Sequence, residues 1–339
     1  MGGNAGNSSG GAGGAGAFGG SAGMAGSAGT GGVGAFGGSA GMAGNAGAGG
    51  GSGAGGGSAG SGSGTGATCR DSVVPVFSED FATPSDPTWT NGGDQPILGS
   101  VWRAYTRGDH GVRINAGLFE VTSSHEQHGQ GYAYVQSSVV YGSAYSPTLK
   151  ANGTSGVVWA FNLQRGNPQV SVPGGFKCVS TLAQNELTVG AAYVLATDSA
   201  AGLDALTTSC SPTGTSRGYA LALVDSKLQL VRFTDGLRNG TFTVIVESPA
   251  YVSSHYLSAR VTYAPPSDVW TLESRTDGAA GFQNPNVGSY SSRVSAVDSA
   301  LVDQRLDVSG PYFQAGCIGN CPGLFSARFD NVTVALCTL

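Results

Sequence analysis

From Cys69 to Leu339 the chain alternates short runs of β-branched and aromatic residues with clusters of Gly, Pro, Asn, Asp and Ser. That pattern predicts strands and turns, and helical periodicity is nearly absent. Strands are predicted over Val73–Phe81, Val101–Thr106, Val112–Thr122, Gly131–Gln136, Gly156–Leu163, Ala191–Thr197 and Tyr219–Val224. Six more are predicted over Lys227–Phe233, Phe242–Glu247, Tyr256–Tyr263, Val269–Arg275, Tyr312–Ile318 and Leu324–Leu336. In the tenth of these, Leu257, Ala259, Val261 and Tyr263 form a face expected to be buried, and Tyr256, Ser258, Arg260 and Thr262 one expected to be wet. Asp225-Ser226 separates two apolar runs and predicts a hairpin turn. The least regular stretch is 181–206, whose Ala and Leu content also fits a short helix around Ala200–Leu206. So many strands in one chain require two packed sheets or a barrel.

Residues 1–68 carry none of this pattern. Between Gly2 and Thr68 there is no Asp, Glu, Lys or Arg, and the segment Gly16–Gly26 returns almost unchanged as Gly34–Gly44. Gly and Ala offer too little apolar surface to offset the cost of ordering a chain, so this part is expected to be a disordered Gly/Ala/Ser-rich linker ahead of one β domain over 69–339. Collagen is excluded, because glycine does not fall at every third position and proline is missing there.

The net charge of −5, without a run of Lys or Arg, argues against nucleic acid as a partner. No apolar stretch is long enough to span a membrane. Met1 is not followed by an export signal, so the true N-terminus, with a signal or lipid anchor, is expected to lie upstream or to have been removed. The six cysteines are Cys69, Cys178, Cys210, Cys317, Cys321 and Cys337. An even number in a β-rich chain suits disulfides and an oxidising compartment. The preferred pairing joins Cys69 to Cys337, Cys178 to Cys210 and Cys317 to Cys321, although the last two are close enough in sequence to exchange partners. Zinc is the competing reading, but Cys317 and Cys321 have no second ligand pair nearby.

Several features occur in a particular order: Phe77-Ser78-Glu79-Asp80-Phe81, a tryptophan at Trp89 or Trp102, Val112 to Phe119, Trp159 to Arg165, Gly218 to Leu221, Trp270-Thr271-Leu272, and Phe329-Asp330-Asn331-Val332. The set resembles the laminin G-like, concanavalin A-like jelly-roll domains of large bacterial secreted proteins. This resemblance implies an all-β, two-sheet antiparallel jelly-roll sandwich. Its first and last strands would lie side by side, bringing Cys69 to Cys337, and Glu79 and Asp80 to Asp330. Similar domains hold a structural calcium there, and carboxylates suit that ion. The alternative is that these acids accept hydrogen bonds at strand ends.

Members of such a fold bind sugars, adhere to other proteins, or cleave polysaccharides, and the fold does not choose among these. A glycoside hydrolase needs two carboxylates about 5 to 10 Å apart, yet Glu186, Glu247 and Glu273 stand alone in their runs. Tyr312 to Gly316 resembles the tyrosine strand of alginate lyases, but the catalytic tyrosine two places after the glycine is Ile318 here. The arginine–glutamate–arginine strand of that family is also missing, leaving Arg165, Arg260 and Arg275 as carboxylate binders for a uronate lyase. His125 and His128 flank Glu126 without a third metal ligand. No Gly-x-Ser-x-Gly elbow is present for a serine nucleophile.

Binding remains. Tyr132 and Tyr134 share one face of their strand, and Asn162 and Gln164 one face of theirs. Either pair would line a concave sheet for a sugar, with Arg165 at its rim. Trp159 and Trp270 are expected in the core. The expected protein is therefore an extracellular or cell-surface, monomeric, non-catalytic module for a glycan or cell-surface polymer. A polysaccharide-active enzyme, or a purely structural or adhesive protein, is the alternative.

Overall fold

In a computed structural model, the residues described are 69–82, 86–90, 93–97, 102–107, 110–123, 131–136, 144–166, 176–178, 181–200, 203, 216–237, 242–252, 254–317 and 325–339. The chain divides into two units, Met1–Ala59 and Gly60–Leu339, and every described residue falls in the second. The linker expected over 1–68 thus lies outside the described residues.

The strands are β1 (Arg70–Glu79), β2 (Asp86–Thr90), β3 (Gly93–Ile97), β4 (Trp102–Arg107), β5 (His110–Asn115) and β6 (Leu118–Ser123). They continue as β7 (Gly131–Gln136), β8 (Ser155–Gly166), β9 (Leu187–Thr197), β10 (Gly218–Val224), β11 (Lys227–Phe233) and β12 (Phe242–Glu247). The last are β13 (Tyr256–Ala264), β14 (Val269–Gly278), β15 (Ser292–Val297), β16 (Val308–Cys317) and β17 (Phe325–Thr338). A nine-stranded sheet runs β15-β14-β13-β8-β17-β6-β5-β2, with β1 also paired to β17. An eight-stranded sheet runs β12-β11-β10-β9-β16-β7-β4-β3. All pairings are antiparallel and the chain crosses repeatedly between sheets, which makes this the two-sheet jelly-roll sandwich expected. Among the described residues no helix is long and apolar enough to cross a membrane.

Local chemistry sets the turns. The predicted strand Val112–Thr122 is in fact the β5–β6 hairpin, because Ala116 and Gly117 both take left-handed φ values (51° and 77°). Two such residues in succession make the tight turn that matches strand twist. Asp225, with φ 53°, closes the predicted β10–β11 hairpin, where Val224 faces Lys227.

Between the sheets lies one apolar core that contains Trp102, Phe119, Trp159, Phe161, Tyr193 and Trp270. Trp159 stacks on Trp270 at 6.0 Å and Phe161 on Tyr193 at 4.2 Å. The first and last strands pair as expected, and Cys69 is bonded to Cys337. Cys178 is also in a disulfide. Cys210 and Cys321, and the side chain of Cys317, lie outside the described residues.

The outward face of β13 corrects its predicted pattern. Parity is right, but Ser258 is 0% and Thr262 6% exposed. The β14–β15 connection folds back over this face. Arg275 holds it by donating to the carbonyls of Val287 (2.6 Å) and Asn284 (2.9 Å), while Phe282 meets Tyr256 edge-on.

Candidate functional site

The two residue pairs expected to line a binding surface fall in different sheets, since β7 belongs to the eight-stranded sheet and β8 to the nine-stranded one. Asn162 is wholly buried and its amide is engaged inside the protein. It donates to Ser258 Oγ and to the Gln283 carbonyl, both at 2.9 Å, and accepts from Asn331 Nδ2 at 2.7 Å. Gln164 is buried as well, donating to the Ser254 carbonyl at 3.0 Å and accepting from Arg328 at 3.4 Å. Strand alternation puts Arg165 on the opposite face of β8, toward the core, so it is no rim to this pair. Asn162 and Gln164 brace the β14–β15 and β12–β13 connections and are not open to a ligand.

The outer face of the eight-stranded sheet is partly filled by its own chain. Ala192, Ala220 and Ala222 leave room there for Phe176, Leu203 and Leu237, which join Val231, Phe233 and Tyr312 in a second apolar cluster. Phe176 lies 5.9 Å from the Tyr312 ring. Gln314, also on this face, is buried and donates to the Lys177 carbonyl at 2.7 Å. The middle of the sheet is therefore closed.

Beyond that plug, the strand register lines up polar aromatic rows. Tyr134 pairs with Tyr312 on one side and Tyr105 on the other, and Tyr132 pairs with Gln314 and Arg107. Tyr105 is half-buried against the edge of the second cluster, whereas Arg103, two residues earlier on β4, is exposed. The side chains of Tyr132 and Tyr134 lie outside the described ones.

Pairing of β1 with β17 brings Glu79 and Asp80 near enough to Asp330 for their charges to act on it. Burial pushes the Asp330 carboxyl up to about 6; the Asn331 backbone hydrogen bond opposes this shift, and the charges of Asp80 and Glu79 add to it. Their oxygens face protein donors. Glu79 accepts from Phe81 N (2.8 Å) and Trp102 Nε1 (3.4 Å), Asp80 from Ala82 N (3.0 Å), and Asp330 from Asn331 N (2.7 Å) and Nδ2 (3.0 Å). Among the described residues no group of three or more His, Cys, Asp or Glu is placed to hold a metal ion.

A pH test follows. A carboxyl whose folded pKa lies above its unfolded value favours folding most at pH below about 4, and loses that advantage as pH rises through about 6. Asp330→Asn should therefore gain stability relative to wild type as pH is raised from 4 to 7, read as the difference in Tm. A difference that stays flat or falls over that window contradicts it.

The isolated acids are each held by a cation. Glu186 meets Lys177, Glu247 meets Lys227 and Glu273 meets Arg260, all at 2.6 Å. The hydrogen bonds from Lys177 and Lys227 hold the Glu186 and Glu247 carboxyls below the usual range, so neither is poised to give up a proton near neutral pH. Arg275 is engaged with Asp277 at 3.0 Å, and Tyr312 and Gln314 of the lyase-like strand are buried. His125, Glu126 and His128 lie outside the described residues. One cluster is only half readable in the sequence. Arg113 and Arg328 both clasp the buried Glu120, at 2.7 and 2.9 Å; Arg113 faces it across the β5–β6 hairpin, but Arg328 comes from β17, far away in the chain.

No family model matches the sequence, and no curated protein matches it. Among solved structures the chain is similar to a peanut lectin with a nine-residue peptide, at 12% identity over 74% of this chain and 99% of that one, with a TM-score of 0.39. A Lotus tetragonolobus seed lectin matches at 12% identity over 74% and 98%, with a TM-score of 0.39. The CBM2 module of an evolved Dit protein from Lactobacillus casei BL23 phage J-1 matches at 10% identity over 79% and 97%, with a TM-score of 0.38.

Proposed function

We propose that the domain is an extracellular, non-catalytic module that binds a carbohydrate or another surface polymer on the outer face of the eight-stranded sheet, at β4 and β7. The observation that carries this reading is the register that sets Tyr105 beside Tyr134, and Tyr132 beside Arg107, next to the self-filled centre of the sheet. Neighbouring strands lie about 5 Å apart, so the register brings tyrosine-bearing positions side by side, and aromatic rings with hydrogen-bonding groups are what hold a sugar. The cation-held acids support a binding role over hydrolysis. The Cys69–Cys337 bond supports an oxidising compartment. Residues 1–68 serve as a tether, and the module works as a monomer. Glu79, Asp80 and Asp330 act as strand-end acceptors, and added calcium should leave Tm unchanged.

A glycan array with the wild type, Tyr105→Ala and Tyr132→Ala tests this. Loss of one stacking ring should weaken retention about tenfold, with Tm near the wild-type value for Tyr132→Ala. Equal retention by all three proteins contradicts the assignment, and release of unsaturated uronate from a retained polymer contradicts the non-catalytic role.

A further inference from the structure

We propose that Arg165 anchors an oxyanion, a carboxylate or sulfate ester, carried by a bound polymer. The guanidinium sits where an apolar side chain belongs. Along β8 the inward series runs Val157, Trp159, Phe161 and Leu163, all in the main core. Alternation makes Arg165 its next member, one residue before the strand ends at Gly166. Arg165 is only 8% exposed, and among the described residues nothing accepts a hydrogen bond from its buried Nη1.

Other arginines of the domain are placed differently. Arg113, Arg232, Arg260, Arg275 and Arg328 each touch a carboxylate directly. For Arg165 the acidic influence is Asp225, which is exposed in the β10–β11 turn and acts through its charge alone. Burial accordingly lowers the Arg165 pKa, with the Asp225 charge opposing this. A desolvated guanidinium with an idle N–H is unfavourable by itself and is relieved by one matching acceptor. Its planar fork suits carboxylate and sulfate oxygens. A long side chain at a strand end can turn outward to meet such a group. The site faces the core side of the nine-stranded sheet and so stands apart from the tyrosine rows, and it survives if they bind nothing.

Thermal unfolding of the full 339-residue chain tests the anchor in sodium sulfate and in sodium acetate, each against sodium chloride of equal ionic strength. The wild type should show a saturable rise in Tm of about 2–4 °C. Arg165→Met should lose that rise and, in chloride, melt at or above the wild-type temperature, because a buried unpaired charge has been replaced by an apolar group. Arg165→Lys keeps the charge but not the fork, and should need roughly tenfold more anion. An equal rise in the wild type and Arg165→Met, no saturable rise in the wild type, or an Arg165→Met protein that melts well below it in chloride overturns the proposal. Polygalacturonate and dextran sulfate oligomers then separate the two sources of oxyanion. Binding of both no tighter than the simple ions contradicts a polymer-borne ligand.

Discussion

Gly218→Ala should strongly destabilise the domain. A Cβ built at Gly218 lies 2.1 Å from the Ala196 carbonyl oxygen and 2.8 Å from the Thr197 Cα. Both are backbone atoms of the neighbouring strand, so no rotamer change relieves the clash, and β9 and β10 must move apart. That movement also strains the Thr197–Ser216 hydrogen bond (2.8 Å) and the Asp198–Arg217 pair (3.1 Å) beside it. Overpacking of this kind costs about 3 kcal/mol or more, equivalent to a fall in Tm of roughly 6–12 °C for a domain of this size. Thermal melting by circular dichroism measures it, and a Tm within about 2 °C of wild type contradicts the close approach.

Breaking the Cys69–Cys337 bond is the second large effect expected. The bond spans 268 residues of sequence, and loop-closure entropy sets an upper bound of about 5.6 kcal/mol for closing so long a loop. The realised loss should be nearer 3 kcal/mol, because β1 still pairs with β17 and Phe77 and Phe81 still anchor it in the core. Val73 and Val74 are exposed and add little, so the end of β1 nearest the bond should fray first. Gly156 supports this view of the corner. A Cβ there would lie 2.7 Å from Cys337 Sγ, so the bond sits against a position kept free of a side chain. In the Cys69→Ser/Cys337→Ser double variant, Tm should fall by about 6–12 °C, and hydrogen exchange should speed up over 73–76 before it does elsewhere. An unchanged melt would mean the staple contributes nothing to stability.

Much of the fold is legible in the sequence because strand parity is a local property. The inward set of β13, the tryptophans of β8 and β14 and the Asp225-Ser226 turn each depend on residues a few positions apart, and each is found where the pattern puts it. The strands missed have weak alternation. β15 reads Ser-Arg-Val-Ser-Ala-Val and no position in it is buried, while β2 and β3 are short and contain proline. What covers each outer face was not legible, since parity says which residues share a face and not what lies on it. Ser258 and Asn162 look like surface residues until the β14–β15 connection is laid over them. Ala192, Ala220 and Ala222 look like ordinary small strand residues until Phe176 and Leu203 are packed on them. The candidate site suffers most from this. Asn162 and Gln164 share a face as expected, but it is a covered one, and the row that joins Tyr105 to Tyr134 needs the pairing of β4 with β7. Glu79 and Asp80 come near Asp330 because the chain ends pair, yet their oxygens face backbone and side-chain donors that no spacing rule reveals.

Hydrogen–deuterium exchange with and without a polymer found on the array tests most directly where a ligand sits. Exchange should slow in the bound state over 102–107 and 131–136, with no change over 187–197 and 218–224, where the sheet is covered by its own chain. Protection centred on those two central strands, with β4 and β7 unaffected, would contradict this placement.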